Sequence, residues 1–210
     1  MPIAILTFEG FNEIDSFVAA TMLNFGCMGL GRPELRAMIV CPSERVASMN
    51  GVVVQTQAPM SFLREADAVI IGSGMHTRDV VKTPSLMEEL KLDPSQQIIG
   101  SQCSGALVLA KLGLLAGVPA CTDSTSKAWV QDAGVEVLDQ PFFARGNVAT
   151  AGGCLSSHYL AAWVIARLSG WQVAEVIVHY VAPIGQKKEY SERAHAVLAP
   201  YLPEHLPVAV

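Results

Sequence analysis

"QQIIGSQCSGALVLAKLGLLAG", Gln96 to Gly117, sets a short β-branched run directly against a long apolar run of helical character, with one cysteine, Cys103, at the junction. A buried strand that passes at once into a helix is the building step of an α/β sheet, because parallel strands need a helical crossover between them. The turn is crowded with small residues: Gly100, Ser101, Ser104, Gly105 and Ala106. Such neighbours let the backbone bend sharply and lie close to the next helix while one side chain is lifted out, which is how a fold presents a nucleophile. Free N–H groups at a helix start also favour an anion, so the position predicts a Cys103 thiol with a lowered pKa and a helix over 104–115. Without that context a cysteine is more often a small apolar residue in a core.

The same alternation extends in both directions. "PIAILTF" and "LRAMIVC" read as strands around a helix from Ile14 to Phe25; "ADAVIIGSGM" is a strand that stops in a Gly-Ser-Gly turn; "TPSLMEELKL" is a helix with Thr83 or Ser85 near its start. "GNVATAGG" is a strand ending in a double glycine before the helical "LSSHYLAAWVIARLSG", which Gly170 stops. Pro200 and Pro203 make the tail from Tyr201 onward irregular. No repeat, low-complexity segment or linker divides the chain, so residues 1–210 read as one α/β domain: a mostly parallel sheet sandwiched by helices. Ligands of such sheets bind beyond the carboxyl ends of the strands, which draws together the loops after Phe8, Ile71, Gln102 and Thr150.

Composition narrows the function. Hydrophobic residues make up 51% of the 210 and charged ones 16%, the profile of a chain that folds and buries much of itself. Net charge is −5, and Lys187-Lys188 is the only basic pair of note, which leaves no footprint for nucleic acid or an anionic membrane. Lys111 and Arg167 interrupt the apolar runs before they reach the ~18 residues of a membrane span, and "MPIAILTF" reads as a first strand, not a leader, so a cytoplasmic location is expected. The five cysteines, Cys27, Cys41, Cys103, Cys121 and Cys154, are odd in number and scattered, with no metal-ligand spacing; neither a disulfide framework, a metal nor a cofactor is indicated, and a small-molecule substrate is the expected partner.

Two further loops offer chemistry. Gly72, Ser73 and Gly74 would let backbone amides approach a substrate and stabilise developing negative charge, or form only a tight turn. Gly152 and Gly153 would let the next helix approach the cysteine turn, and Cys154 would then face the same cavity, able to pair with Cys103 if the Cα atoms lie within about 7 Å. Of five histidines only His76 stands in a site loop, as substrate donor or as helix cap; His158 and His179 read as satisfied interior residues, His195 and His205 as surface ones.

The chain resembles the ThiJ/PfpI superfamily, which shares its flavodoxin-like fold with class I glutamine amidotransferases. "SQCSGALVLAKLGLLAG" is similar to that family's nucleophile segment, and the resemblance continues in order through "FEGFNEIDSF", "IIGSGM" and "GNVATAGGCLSSHYLAAWVIARLSG". It implies a catalytic Cys103, an oxyanion role for the Gly-Ser-Gly loop and the Ser104 amide, and a homodimer. Ile14-Asp15 and "TAGG" look most like the isonitrile hydratase branch, which makes Asp15 the expected acid partner of Cys103, with Glu13 as the alternative and a helix cap as the other use of Asp15. Many members carry a histidine where this chain has Asp123, within "PACTDSTSKAW". A thiolate–imidazolium couple is what hydrolytic cysteine enzymes use, so its loss argues against protease or amidotransferase activity. The implied function is hydration of an isonitrile to an N-substituted formamide; the alternatives are glyoxalase- or deglycase-like addition to α-oxoaldehydes and a non-enzymatic redox sensor or stress protein. Related domains also occur in transcription factors, but no helix-turn-helix is expected after the helix that Gly170 stops.

Overall fold

Why the first strand is buried on both sides is plain from its composition: Ile3–Leu6 (β1) has no polar residue, and Ile3 and Ile5 face one apolar cluster while Ala4 and Leu6 face another. The computed structural model describes residues 2–203, and His205 lies outside them. Asn12 then caps α1 (Glu13–Gly29), its side chain accepting from the Ile14 amide at 3.0 Å. The chain returns through β2 (Ala37–Val40) to a small antiparallel hairpin, β3 (Arg45–Ala47) and β4 (Val53–Gln55), and enters the sheet again at β5 (Ala68–Ile71).

Two short helices, α2 (Thr77–Val80) and α3 (Pro84–Glu89), lead to β6 (Ile98–Gln102), the strand of the opening sequence, and α4 (Gly105–Lys111) follows it. After α5 (Lys127–Asp132) comes the antiparallel pair β7 (Phe142–Arg145) and β8 (Val148–Ala151). Three helices close the chain: α6 (Ser157–Ser169), α7 (Trp171–Val181) and α8 (Lys187–Leu198).

The six strands lie in the order β2-β1-β5-β6-β8-β7, all parallel but the last. Residues of α1, α6, α7 and α8 share a core with one face, and those of α2 to α5 with the other, which is the expected flavodoxin-like sandwich. The sequence of connections reverses between β1 and β5, so a crevice opens there at the carboxyl ends of the strands.

Some elements depart from expectation. The helix after Cys103 stops at Lys111 and not Leu115, because Gly113 turns the chain with φ 79°. Thr83 occupies the N-cap of α3 but does not cap it; its hydroxyl donates back to the Asp79 carbonyl at 2.8 Å. Gly170 does end a helix, with φ 88°, yet the chain continues straight into α7 and α8, which the sequence reading did not foresee. The tail is a single 3-10 turn, Ala199–Tyr201, before Pro203.

Candidate active site

Three adjacent strand ends assemble the site. Asp15 stands in the first turn of α1 beyond β1, Ser73 follows β5, and Cys103 follows β6. Cys154 opens the 3-10 turn beyond β8. Cys103 has φ 45°, the one non-glycine residue among those described with a positive value, so the turn holds its backbone in a conformation side chains disfavour. What fixes it there is local: its amide donates to the Ala151 carbonyl at 2.8 Å, its carbonyl accepts from Thr122 Oγ1 at 2.8 Å, and Gly105 behind it packs against the carbonyls of Ile71 and Gly72.

The Cys103 and Cys154 sulfurs and an Asp15 carboxylate oxygen all lie within 4.8 Å of one another, the only group of three ligand-type side chains among the described residues. Two sulfurs and an oxygen suit a soft cation more than a hard one. Asp15 is buried; its carboxylate accepts from Ser73 Oγ and, at 3.3 Å, from Ser157 Oγ. Asn12 Nδ2 donates to Cys154 Sγ at 3.2 Å, and Gln102 Nε2 spans from Cys103 Sγ at 3.6 Å to the Gly153 carbonyl at 2.9 Å.

Electrostatics overturns one expectation. Burial pushes the Cys103 thiol up, and the Asp15 charge beside it pushes further, followed by Cys154 and Asp123. The direction is opposite to the lowered pKa expected at the start of α4. Burial likewise raises Asp15, opposed by its hydrogen bonds from Ser73, Cys103, Cys154 and Ser157. Carboxyl and thiol are thus each pushed toward the protonated form.

Of the two carboxylates it is Asp15, not Glu13, that stands beside Cys103. Glu13 turns to the β3–β4 hairpin, where Ser48 Oγ and, at 2.9 Å, Asn50 Nδ2 donate to it and the Ser48 bond holds its pKa down. Nor is Asp15 the helix cap, since Asn12 has that task. Within the glycine loop the Gly72 amide donates to the Leu6 carbonyl at 2.9 Å and the Gly74 amide to Ser104 Oγ at 3.2 Å, so neither is free for a substrate. The amides of Ser73 and Ser104 donate to none of the described residues.

Gly152 does not admit the following helix as expected; a Cβ there would meet the Thr122 backbone at 2.4 Å, so it is the Thr122 segment that packs close. Gly153, with φ 84°, instead offers its carbonyl to Gln102. Asp123, expected to stand at the place of the family histidine, uses Oδ1 to accept from the Thr125 and Ser126 amides at 2.8 and 3.0 Å. His76 is half exposed, pairs with Asp79 at 2.9 Å and packs over Gly10; no histidine is among the groups acting on the Cys103 thiol. Asn12, Gln102, Thr122 and Ser157 were missed: Asn12 was findable as an N-cap, whereas the others have no sequence pattern that marks them.

A model of the DJ-1/PfpI family matches residues 1–167. No curated protein matches the chain. Among solved structures, a ThiJ/PfpI family protein from Pseudomonas syringae superimposes with a TM-score of 0.72 at 19% identity, over 93% of this chain and 89% of that one. Toxoplasma gondii DJ-1 in an oxidised state gives 0.71 at 19% identity, over 86% and 97% of the two chains. A mutant of a DJ-1 superfamily protein from Salmonella typhimurium gives 0.72 at 22% identity, over 87% and 98%. At these identities the structures speak for the fold, and the family model extends over most of the length: the chain belongs to the DJ-1/PfpI family.

Proposed function

We propose that this protein is a cysteine-dependent enzyme that adds water to a small electrophile, with an isonitrile as substrate and an N-substituted formamide as product. The observation that carries the reading is the Asp15–Cys103 pair, buried together with no imidazole acting on the thiol. A Cys–His couple works through a preformed thiolate; here the thiol pKa is raised, so a base must take the proton as the sulfur attacks. Isonitrile addition suits that arrangement, because sulfur and proton go to the same carbon.

In the proposed sequence Cys103 Sγ forms a bond to the terminal carbon while Asp15 takes the thiol proton and delivers it to that carbon, giving an S-linked imidate. Water adds to the carbon, the C–S bond breaks, and the proton returns through Asp15 to sulfur. One isonitrile and one water become one formamide with no change in oxidation state of the protein. The Ser73 and Ser104 amides are the donors available as electron density builds on the substrate.

The test is chromatographic detection of formamide from an aryl isonitrile. Cys103→Ala should abolish turnover and Asp15→Asn should lower kcat about 10²- to 10⁴-fold, the usual worth of a general acid–base group. An unmutated protein that forms no formamide overturns the proposal, and turnover of methylglyoxal in its place would assign the same pair to α-oxoaldehydes.

A further inference from the structure

The isonitrile mechanism leaves Cys154 without a task, although its sulfur stands beside the nucleophile. We propose that Cys154 is a resolving thiol: on oxidation of Cys103 by a hydroperoxide the two sulfurs join in a disulfide, which stops Cys103 short of irreversible over-oxidation. The inference rests on Cys103 being a reactive thiol, not on which electrophile it hydrates.

Geometry supports the pairing in three ways. The sulfurs are within 4.8 Å, so they need close by no more than about 2.8 Å to reach the ~2.0 Å of a disulfide. The two backbones are already tied on either side of the pair, by the Cys103 amide to the Ala151 carbonyl at 2.8 Å and by Gln102 Nε2 to the Gly153 carbonyl at 2.9 Å. Cys154 is the less buried of the two residues and opens a 3-10 turn after Gly153, outside the sheet, so its side chain can change rotamer without moving a strand.

Chemistry supplies the rest. Asp15 takes the Cys103 proton, the sulfur attacks one peroxide oxygen, the O–O bond breaks, and the leaving hydroxide recovers the proton as water; Cys103 is now a sulfenic acid. Asp15 then takes the Cys154 proton, with Asn12 Nδ2 at 3.2 Å donating to the developing thiolate. Cys154 Sγ attacks Cys103 Sγ, the S–O bond breaks, and a second water leaves. In sum two thiols and one hydrogen peroxide give one disulfide and two waters. Among the described residues none of the other cysteines belongs to a comparable group.

The experiment is non-reducing peptide mapping after a short exposure to several equivalents of hydrogen peroxide, enough to supply the two that a sulfinate needs, and alkylation. The expected result is a cross-linked peptide pair containing Cys103 and Cys154, lighter by two hydrogens, with loss of both alkylatable thiols and recovery by a dithiol reductant. In Cys154→Ala, Cys103 should instead gain two oxygens and resist that reductant. Cys103 carrying two oxygens in the unmutated protein while Cys154 remains alkylatable overturns the proposal, as does a Cys103 left unoxidised when Cys27 is oxidised. The map needs no substrate turnover, so it stands apart from the hydratase assay, and the unmutated protein decides it should the variant not fold.

Discussion

Asp15 is the residue at which stability and chemistry pull apart. A buried carboxylate beside two thiols, with no positive side chain among the groups acting on it, is there at the expense of the fold. Its folded pKa is raised above the ordinary 3.8, so the fold favours the protonated form. The stability this gives is fully present below the unfolded pKa and is lost as pH rises through the folded value. Asp15→Asn keeps the shape without the charge, so its Tm should match that of the unmutated protein near pH 3 and exceed it at pH 7 to 8. A gap of about 2–4 °C corresponds to about 1 kcal/mol in a chain of this size. Scanning calorimetry across that range checks it; a variant less stable at pH 8 would mean that the Ser73 and Ser157 bonds outweigh the charge. That Cys103 sits on a strand-to-helix turn was legible in the sequence, and Asp15 beside it was an expectation of the resemblance carried by Ile14-Asp15, but the burial of the thiol was not legible. Desolvation depends on how deeply the turn is covered, and that follows from the helices packed over it.

At the scale of the element, the strand–turn–helix of Cys103 depends on a glycine that takes no part in chemistry. A Cβ on Gly105 would meet the Gly72 carbonyl oxygen at 2.7 Å and that of Ile71 at 2.8 Å, both backbone atoms of β5 and its loop. Neither can rotate away, so Gly105→Ala must push α4 off the sheet and take Cys103 with it. The Ser104 hydroxyl, bonded to Thr77 at 2.7 Å and to the Gly74 amide at 3.2 Å, would be pulled out of register as well. We expect a loss of about 1–3 kcal/mol, as for other overpacked sites, together with a fall in turnover larger than the stability change explains; thermal melts and kcat on the same sample test both. The small residues around Cys103 were readable as a tight turn, and their contacts show why. Two other elements hid behind weaker signals. The β7–β8 hairpin was announced by Gly146-Asn147 between two apolar runs, a two-residue turn pattern that the parallel reading of "GNVATAGG" passed over. Glycine at 170 stops a helix through its backbone, and nothing in that residue says whether a second helix follows.

Over the whole molecule, one helix joins the site to the larger core. The first turn of α6 carries Ser157, which donates to Asp15, and its middle carries Trp163, fully buried among Phe142 and the residues of α7 and α8. Its ring lies 5.9 Å from that of Phe142, the Arg167 guanidinium sits 5.2 Å above it, and its indole N–H donates to the Tyr201 carbonyl at 3.3 Å. One side chain thereby holds the sheet edge, the helix and the final turn together. Trp163→Ala should cost about 3–5 kcal/mol, because truncating a fully buried aromatic leaves a cavity that its neighbours only partly fill. That lowers Tm by roughly 10 °C. Since α6 also positions Ser157 on Asp15, turnover should disappear in the same transition that near-ultraviolet circular dichroism reports, and below it the remaining activity should stay close to that of the unmutated protein. The pattern is the converse of Asp15→Asn, which gains stability and loses turnover. A Trp163→Ala protein that melts within about 2 °C of the unmutated one would show that this face of the sheet collapses around the gap.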